Sequence, residues 1–160
     1  MAELASLPLR YRVQLGLYRW RRLDPVPWTP LPRPLTRATV ALVTTAGYYR
    51  PGIDPPFRRL PGGDVSFRVL PDDTPLATLE LGQTSGLFDR DPALHDPNVA
   101  HPVERLRELA RAGHIGRTAT RHLSFNGSIT APARLVRHTA PAAAELLRGD
   151  GVDAAVLVPI

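Results

Sequence analysis

Small polar residues cluster at three places where the sequence predicts the end of a strand. In chain order these groups are Thr44, Thr45 and Gly47, then Gln83, Thr84 and Ser85, then Ser124, Asn126, Gly127 and Ser128. Each residue alone is an ordinary turn former, so only their common position argues for a site. Loop amides and hydroxyls that converge without a competing acidic cluster can bind small anions or amino-acid carboxylates. The spacing therefore predicts a small-ligand site at one edge of a sheet.

Other kinds of site have little support in the sequence. The chain has no cysteine, which excludes disulfides, thiolate metal sites and cysteine nucleophiles within these residues. The five histidines show no close helical pairing of the kind found in zinc sites, and no metal is expected. Walker, G-x-S-x-G and G-x-G-x-x-G motifs are absent, which argues against nucleotide triphosphatase, hydrolase and dinucleotide-binding functions.

Composition indicates one globular domain. The 160 residues are 43% hydrophobic, and the net charge is +5. All 20 basic residues are Arg, and beyond Asp54 they alternate with Asp and Glu, which is typical of a mixed solvated surface rather than a nucleic-acid-binding stripe. We therefore expect no nucleic-acid or membrane partner and a cytoplasmic location, because no apolar run reaches the length of a membrane span.

The longest charge-free, β-branched run extends from Thr39 to Gly47 and predicts a central strand covered on both faces. Val65 to Leu70 alternates apolar and polar residues and predicts a half-buried edge strand. A second sheet strand is predicted from Leu76 to Leu81, where it would deliver Gln83 to the crevice. Between the first two strands, Tyr48 to Gly63 is a long Pro- and Gly-rich loop that could close over the crevice.

The second half of the chain alternates helices with strands. Pro102 to Ala112 is the clearest helix, and Ile115 to Phe125 is a predicted strand. A helix capped by Thr130 should run to Leu147 with a kink or break at Pro141, and Asp153 to Val158 is the last strand. This order predicts an α/β domain over residues 35–160, doubly wound in the Rossmann-like or flavodoxin-like manner around a mostly parallel sheet.

Residues 1–34 are predicted to form a separate N-terminal element. Leu9 to Leu23 has helix-like spacing of Tyr11, Leu15 and Tyr18, and Asp24 to Pro34 is dense in proline and should be extended, with Trp28 as its anchor. An arm that wraps its own domain or another subunit is preferred to an SH3-type ligand. Exposed aromatic residues here predict self-association or docking to a second subunit.

The crevice loops also resemble a known family. The motifs, in order, are V-A-L-V-T-T-A-G at Val40 to Gly47, G-D-V-S-F-R-V-L-P at Gly63 to Pro71, F-D-R at Phe88 to Arg90, D-P-N at Asp96 to Asn98, P-V-E-R-L-R-E-L at Pro102 to Leu109, H-I-G at His114 to Gly116, S-F-N-G at Ser124 to Gly127, and G-V-D-A-A-V-L-V-P at Gly151 to Pro159. From Trp28 onward the chain resembles the glycine/sarcosine/betaine reductase selenoprotein B family, which is related to the D-proline reductase selenoprotein subunit.

The resemblance implies a cytoplasmic reductase subunit in which a selenocysteine or cysteine cleaves a small amino-acid derivative reductively, with a disulfide as the oxidised partner. It implies a small amino-acid-like substrate, and either a homo-oligomer or other reductase subunits as partners. The candidate substrate-binding residues also include Asp89, which belongs with the polar group at Gln83, and Asn98 and Arg105, within the matching motifs. Asp89 and Asp96 are expected mainly to orient loops through Asx turns and by pairing with Arg90 or Arg105.

No catalytic residue is expected within the chain itself. In the family the redox motif follows the strand that corresponds to Asp153 to Val158, and here Ile160 is the last residue. We expect that a recoded UGA or a cloning boundary lies there, with the selenol beyond it. The alternative is a non-catalytic binding or subunit-interaction module of the same fold.

Overall fold

The computed structural model describes residues 5, 7–17, 23–83 and 89–160, without the side chain of Gln14. It separates into two units, residues 1–30 and 31–160. In the first unit, helix α1 spans Leu9–Leu17. The predicted continuation of this helix through Tyr18 and Arg22 lies outside the described residues.

Residues 23–34 contain neither helix nor strand, and their side chains are exposed. Trp28 is 82% exposed. The extended arm and the boundary at residue 34 stay predictions.

The sheet of the second unit is built around strand β1, Thr39–Thr44, whose side chains are almost all buried. Strand β7, Ala154–Val158, runs parallel to β1 and pairs with Val40 to Thr44. Strands β5, Arg117–Thr118, and β6, Arg121–Phe125, pair in parallel with the two ends of β1. Because β7 occupies one side of β1, β5 and β6 must share the other. The strand predicted from Ile115 to Phe125 is therefore present but interrupted at Ala119 and Thr120.

Strand β3, Phe67–Pro71, pairs antiparallel with β6 and alternates in burial, as the edge-strand prediction required. The fold is therefore α/β with a mixed, mostly parallel sheet.

The prediction of a further sheet strand from Leu76 to Leu81 is wrong. Leu76–Thr78 form a 3₁₀ turn, and only Glu80–Leu81, β4, are extended. Strand β4 pairs antiparallel with β2, Tyr48–Tyr49, in a separate two-stranded sheet, so the loop predicted from Tyr48 begins with a strand. Pro75 fixes the backbone at the start of the turn, which shortens the apolar run available for a strand.

The two main helices pack against alternate side chains of β1. Helix α3, Val103–Arg111, contributes Val103 and Leu106 to a core with Val40 and Leu42. Helix α4, Ala140–Gly149, contributes Ala143 and Leu147 to a second core that contains Ala41. Successive side chains of a strand point to opposite faces, so α3 and α4 cover opposite faces of the sheet.

The remaining helix, α2, spans Asp91–His95 and precedes a 3₁₀ turn at Pro97–Val99. The helix predicted to start at Thr130 instead begins after Pro132 and passes through a π-helical turn, Leu135–Thr139, directly into α4. Thr130 does not adjoin its first residue, Ala133, and so is not its cap; the Thr130 backbone N–H donates to the Gly62 carbonyl at 3.0 Å. Among the described residues, no helix is both long and apolar enough to cross a membrane.

Candidate functional site

Thr44 and Ser124 lie side by side at the carboxyl ends of two parallel strands. They are directly paired in the register of β1 with β6, and both are fully buried. The Thr44 hydroxyl donates to the Ala100 carbonyl at 2.6 Å and accepts from the Ala46 N–H at 3.1 Å. These bonds attach the end of β1 to the segment that precedes α3, on the face that α3 covers.

The loops beyond these strands are tied to each other by backbone hydrogen bonds. Gly47 donates to the Phe125 carbonyl, and Gly127 donates to the Thr45 carbonyl, both at 2.8 Å. A bridge between Ala46 and Asn126 joins the same segments. The two loops therefore form one rigid edge.

Gln83 reaches this edge from the small second sheet. The antiparallel pairing of β4 with β2 turns the chain back, and the Gln83 side chain, 4% exposed, donates from Nε2 to the Thr45 carbonyl at 3.0 Å. A Cβ atom on Gly127 would lie 2.8 Å from that Nε2 atom, which explains why glycine stands at position 127. Gln83 therefore lies beside Thr45, as predicted, but it is placed there by the pairing of β4 with β2, which the sequence did not indicate.

The Ser124 hydroxyl is buried without a hydrogen-bond partner among the described residues. Buried polar atoms nearly always have a partner, so such an atom calls for a water or a ligand. It sits beside Thr44, where the sequence placed the small-ligand site. Ser124 is therefore a candidate ligand contact at this edge.

An apolar cleft opens beside the same loops, on the face of the sheet that α4 covers. It has a volume of about 620 Å³, and Thr45, Asn126 and Gly127 line it together with Leu157 and Ile160. Thr45 Oγ accepts from the Ile160 N–H at 2.8 Å, which holds the wall in place. Thr44 and Ser124 do not line this cleft, because Leu123 and Phe125 face the α4 core and the Ser124 side chain between them points to the other face of the sheet.

Three further residues were predicted to bind substrate, and their observed contacts lie away from Thr44 and Ser124. They are Asp89, Asn98 and Arg105. Asp89 accepts from the Asp91 N–H at 3.2 Å at the start of α2. Asn98 donates from its side chain to Asp96 at 3.1 Å and to Glu104 at 2.8 Å, near the start of α3.

Arg105 lies on the surface and pairs with Glu108 at 3.0 Å, and Arg90 donates to the Leu81 carbonyl at 2.8 Å. The sequence suggested that these arginines pair with Asp89 or Asp96. In the structure they make these other contacts instead. Ser85 lies outside the described residues.

A buried histidine was missed by the sequence reasoning. His122 is fully buried, and its Nδ1 atom accepts from the Leu42 N–H at 3.0 Å. Since Nδ1 is an acceptor, the proton is on Nε2, which donates to the Asp72 carboxylate at 2.8 Å. Arg107 approaches the same carboxylate at 3.5 Å.

A second buried histidine, His101, lies with its ring centroid 5.7 Å from that of His122 and 6.4 Å from that of Tyr48. Burial lowers the pKa of His101 to about 3, and the charges of His122 and Arg107 act in the same direction. Its Nδ1 atom has no hydrogen-bond partner in the part of the chain that the structure describes. Burial also raises the pKa of Tyr48 to about 12, and its hydroxyl donates to the Ala93 carbonyl at 3.0 Å.

The chemistry of this edge is that of neutral hydrogen-bonding groups. Hydroxyls, amides and neutral imidazoles are gathered on one face of the sheet, where they can orient a small polar molecule by hydrogen bonds. Within the described ranges, His, Asp and Glu form no group of three or more that could hold a metal ion.

Comparison with known proteins finds a matching family and two related sequences. A profile of the family described as glycine/sarcosine/betaine reductase selenoprotein B matches residues 17–159. D-proline reductase subunit gamma of Acetoanaerobium sticklandii is 34% identical over 133 residues, which is 83% of this chain and 53% of that protein. Betaine reductase complex component B subunit beta of Peptoclostridium acidaminophilum is 32% identical over 126 residues, which is 77% of this chain and 28% of that protein.

The chain thus spans about half the length of the first relative, 53%, and less of the second, 28%. No solved structure matches it significantly. A family match that covers nearly the whole sequence, together with two named relatives, settles the assignment: the chain belongs to the glycine/sarcosine/betaine reductase selenoprotein B family.

Proposed function

We propose that this chain is the substrate-binding part of a selenol- or thiol-dependent reductase component that acts on a small amino-acid derivative. Glycine, betaine, sarcosine and proline are the candidate substrates, by analogy with the names of the family and its relatives. The chain has no cysteine, so the selenol or thiol comes from outside these 160 residues. Its oxidised form would be a disulfide or its selenium equivalent.

The observation that carries the proposal is the unpartnered Ser124 hydroxyl beside Thr44. A substrate carboxylate that accepts from this hydroxyl would supply the missing hydrogen bond, and Gln83 and Thr45 lie on the adjoining loops. Bonds to ionised carboxylates are stronger than neutral ones, so one such bond contributes measurably to affinity.

Ser124→Ala separates binding from stability. The hydroxyl makes no hydrogen bond within the described residues, so its removal should leave the melting temperature unchanged or slightly higher. The loss of one ligand hydrogen bond should weaken substrate binding by about 3- to 10-fold.

Calorimetric titration of the wild-type chain with D-proline, betaine, sarcosine and glycine identifies the substrate, and the variant is then titrated with the best ligand. Thr78→Val is the matched control, since its exposed hydroxyl bonds only to the Pro75 carbonyl in a surface turn. An affinity unchanged by Ser124→Ala would show that the ligand binds elsewhere.

The absence of cysteine favours a second candidate, a non-catalytic binding or subunit-interaction module. Both named relatives are subunits or components of reductases, so a role in assembly is open to this chain as well. Mixing the chain with a selenol- or thiol-bearing subunit of the family and assaying reductive cleavage distinguishes the two. Ligand binding without any stimulation of cleavage would favour the module.

We also infer that the domain is doubly wound, in the Rossmann-like or flavodoxin-like manner. The support is that α3 and α4 pack on opposite faces of a sheet in which β1, β6 and β7 are parallel. In that class ligands bind beyond the carboxyl ends of the strands, which is where Thr44 and Ser124 stand. A cytoplasmic location and an oligomer with other reductase subunits complete the proposal.

A further inference from the structure

A second groove, of about 600 Å³, lies on a different part of the molecule from the candidate substrate site. One wall is the loop over residues 58–66, and the other is the helix that contains the π turn. None of the predicted substrate-binding residues that the structure describes lines it.

The loop wall is held in place by a buried carboxylate. Asp64 is 3% exposed and accepts from the Arg58 N–H at 2.9 Å, the Ser66 N–H at 3.0 Å and the Ser66 hydroxyl at 2.6 Å. These donors lower the pKa of Asp64 against the opposing effect of burial, which is the largest single influence. The Asp64 carboxylate is therefore hydrogen-bonded by donors from its own loop.

Two glycines press this loop against the segment that leads into the helix. The Gly62 carbonyl accepts from the N–H groups of Thr130 and Ala131, both at 3.0 Å. A Cβ on Gly62 would lie 2.6 Å from the Ala131 Cβ, and one on Gly63 would lie 2.9 Å from the Ile129 Cα. The groove therefore has a wall with little freedom to move.

The helix wall contains a π turn at Leu135–Thr139, closed by a bond from the Ala140 N–H to the Leu135 carbonyl. Pro141 follows and has no N–H to donate, so a regular α-helical turn could not be completed at this point. Turns of this kind are rare and are frequent at functional sites. Arg134 and His138, four residues apart, both line the groove.

The exposed ionisable side chains of the groove are basic. Arg58 comes from the loop wall, and Arg134 and His138 come from the helix wall, while the Asp64 carboxylate is buried behind its own donors. Two guanidinium groups on facing walls suit an anion with several oxygens, because arginine binds phosphate through paired hydrogen bonds. The volume exceeds that of a phosphate alone and lies in the range of small-molecule sites.

We propose that this groove binds the phosphate group of a small organic phosphate monoester. Arg58 and Arg134 hold the phosphate from opposite walls, and Leu60 and Phe67, which also line the groove, contact the organic part. This site is independent of the proposed substrate site, so neither depends on the other for its test.

The test is calorimetric titration of the full chain with inorganic phosphate and phenyl phosphate, at constant ionic strength set by sodium chloride. Phenyl phosphate should bind saturably and more tightly than inorganic phosphate. Arg58→Gln and Arg134→Gln should each weaken binding by about tenfold, since each removes a charge-assisted contact. Arg137→Gln is the matched control, because Arg137 is an exposed residue of the same π turn that does not line the groove.

Ala142→Glu is a second variant, which introduces a negative charge that should repel the phosphate group. Ala142 is an exposed groove residue in α4, and glutamate is compatible with a helix, so the protein should fold and lose phenyl phosphate binding. The proposal would be overturned by no saturable binding, by an equal loss in Arg137→Gln, or by equally tight binding of benzoate. Equal melting temperatures of all variants ensure that binding is compared between folded proteins.

Discussion

The Nδ1 atom of His122 accepts a hydrogen bond from the backbone N–H of Leu42 at 3.0 Å. Leu42 lies in the middle of β1, opposite the interruption between β5 and β6, where no strand carbonyl is paired with it. An unpaired N–H at the centre of a sheet is costly, and the imidazole takes the place of the missing ladder bond. His122 thus closes a gap that the interruption at Ala119 and Thr120 creates.

His122→Phe should destabilise the protein strongly. Phenylalanine preserves an aromatic ring of similar size but leaves the Leu42 N–H and the Asp72 carboxylate without their bonds to the ring. Two lost bonds to buried groups correspond to a decrease of about 2–4 kcal/mol in the free energy of unfolding. Urea denaturation measures the change, with His114→Phe, at an exposed position, as the control. Equal stability of both variants would mean that the ring contributes only by packing.

Acidification below pH 6.5 should destabilise the fold through its buried histidines. Burial lowers the pKa of both His101 and His122, in the case of His101 to about 3, so the folded state stays unprotonated while the unfolded chain binds protons near pH 6.5. The unfolded state then binds more protons, and stability falls as pH decreases from 6.5 toward the folded pKa. His101 alone accounts for a loss on the order of 2 kcal/mol at pH 5.

Urea denaturation at pH 7.5, 6 and 5 tests this dependence. The carboxylates of Asp54, Asp64 and Asp150 have lowered pKa values, so their contribution is kept above pH 3.8 and lost only at more acidic pH. His101→Phe should make the curve flatter between pH 6.5 and 5. If the stability of His101→Phe fell with decreasing pH as steeply as that of the wild type, His101 could not be the source of the pH dependence.

Sequence reasoning was most successful where one strand or helix carried the signal. The runs at Thr39 and Asp153 form paired strands, and the helix near Pro102 is α3. The run at Thr39 is also buried, whereas most side chains of β7 are exposed. It failed at Leu76 to Leu81, where the apolar run is buried in a turn rather than in the main sheet. It also missed His122, because nothing local in the sequence shows that β6 is interrupted opposite Leu42.

The sequence predicted only some of the residues that the structure brings together at the end of β1. Thr44 and Ser124 follow from the rule that parallel strands end at the same edge. Gln83 is placed by the pairing of β4 with β2, which is a tertiary contact that no local sequence pattern indicates. Asn98 was assigned by resemblance to a motif, and its side chain bonds instead to Asp96 and Glu104.

Removal of the residues before Arg33 should reduce self-association or docking to another reductase subunit. Trp28 is 82% exposed and Val26 is 75% exposed, and a partner surface would cover such side chains. Light scattering compares the shortened and full chains, alone and with a candidate subunit. The Trp28→Ser variant of the full chain is the less invasive counterpart. A stable monomer that is unchanged by either alteration would contradict the interface.

Gly47→Ala should destabilise the candidate site more than a glycine substitution of the same backbone type elsewhere. Gly47 has a φ of +74°, and an added Cβ would lie 3.1 Å from the backbone nitrogen of Gln83 and 3.3 Å from Asn126 Oδ1. Gly52→Ala is the matched control, because its φ is +77° and no atom lies within 4 Å of the added Cβ. Both variants therefore share the cost of the left-handed conformation, about 1 kcal/mol, and only Gly47→Ala adds a steric contact.

The difference between these two variants measures how firmly the Gln83 loop is held against β1. We expect Gly47→Ala to lose about 1–3 kcal/mol more than Gly52→Ala, as for other overpacked buried positions, and to weaken substrate binding as Gln83 is displaced from the Thr45 carbonyl. Urea denaturation gives the first quantity, and calorimetric titration with the best substrate gives the second. If the two variants were equally stable and bound equally well, the Gln83 loop would have to yield freely, and Gln83 could not be a fixed wall of the site.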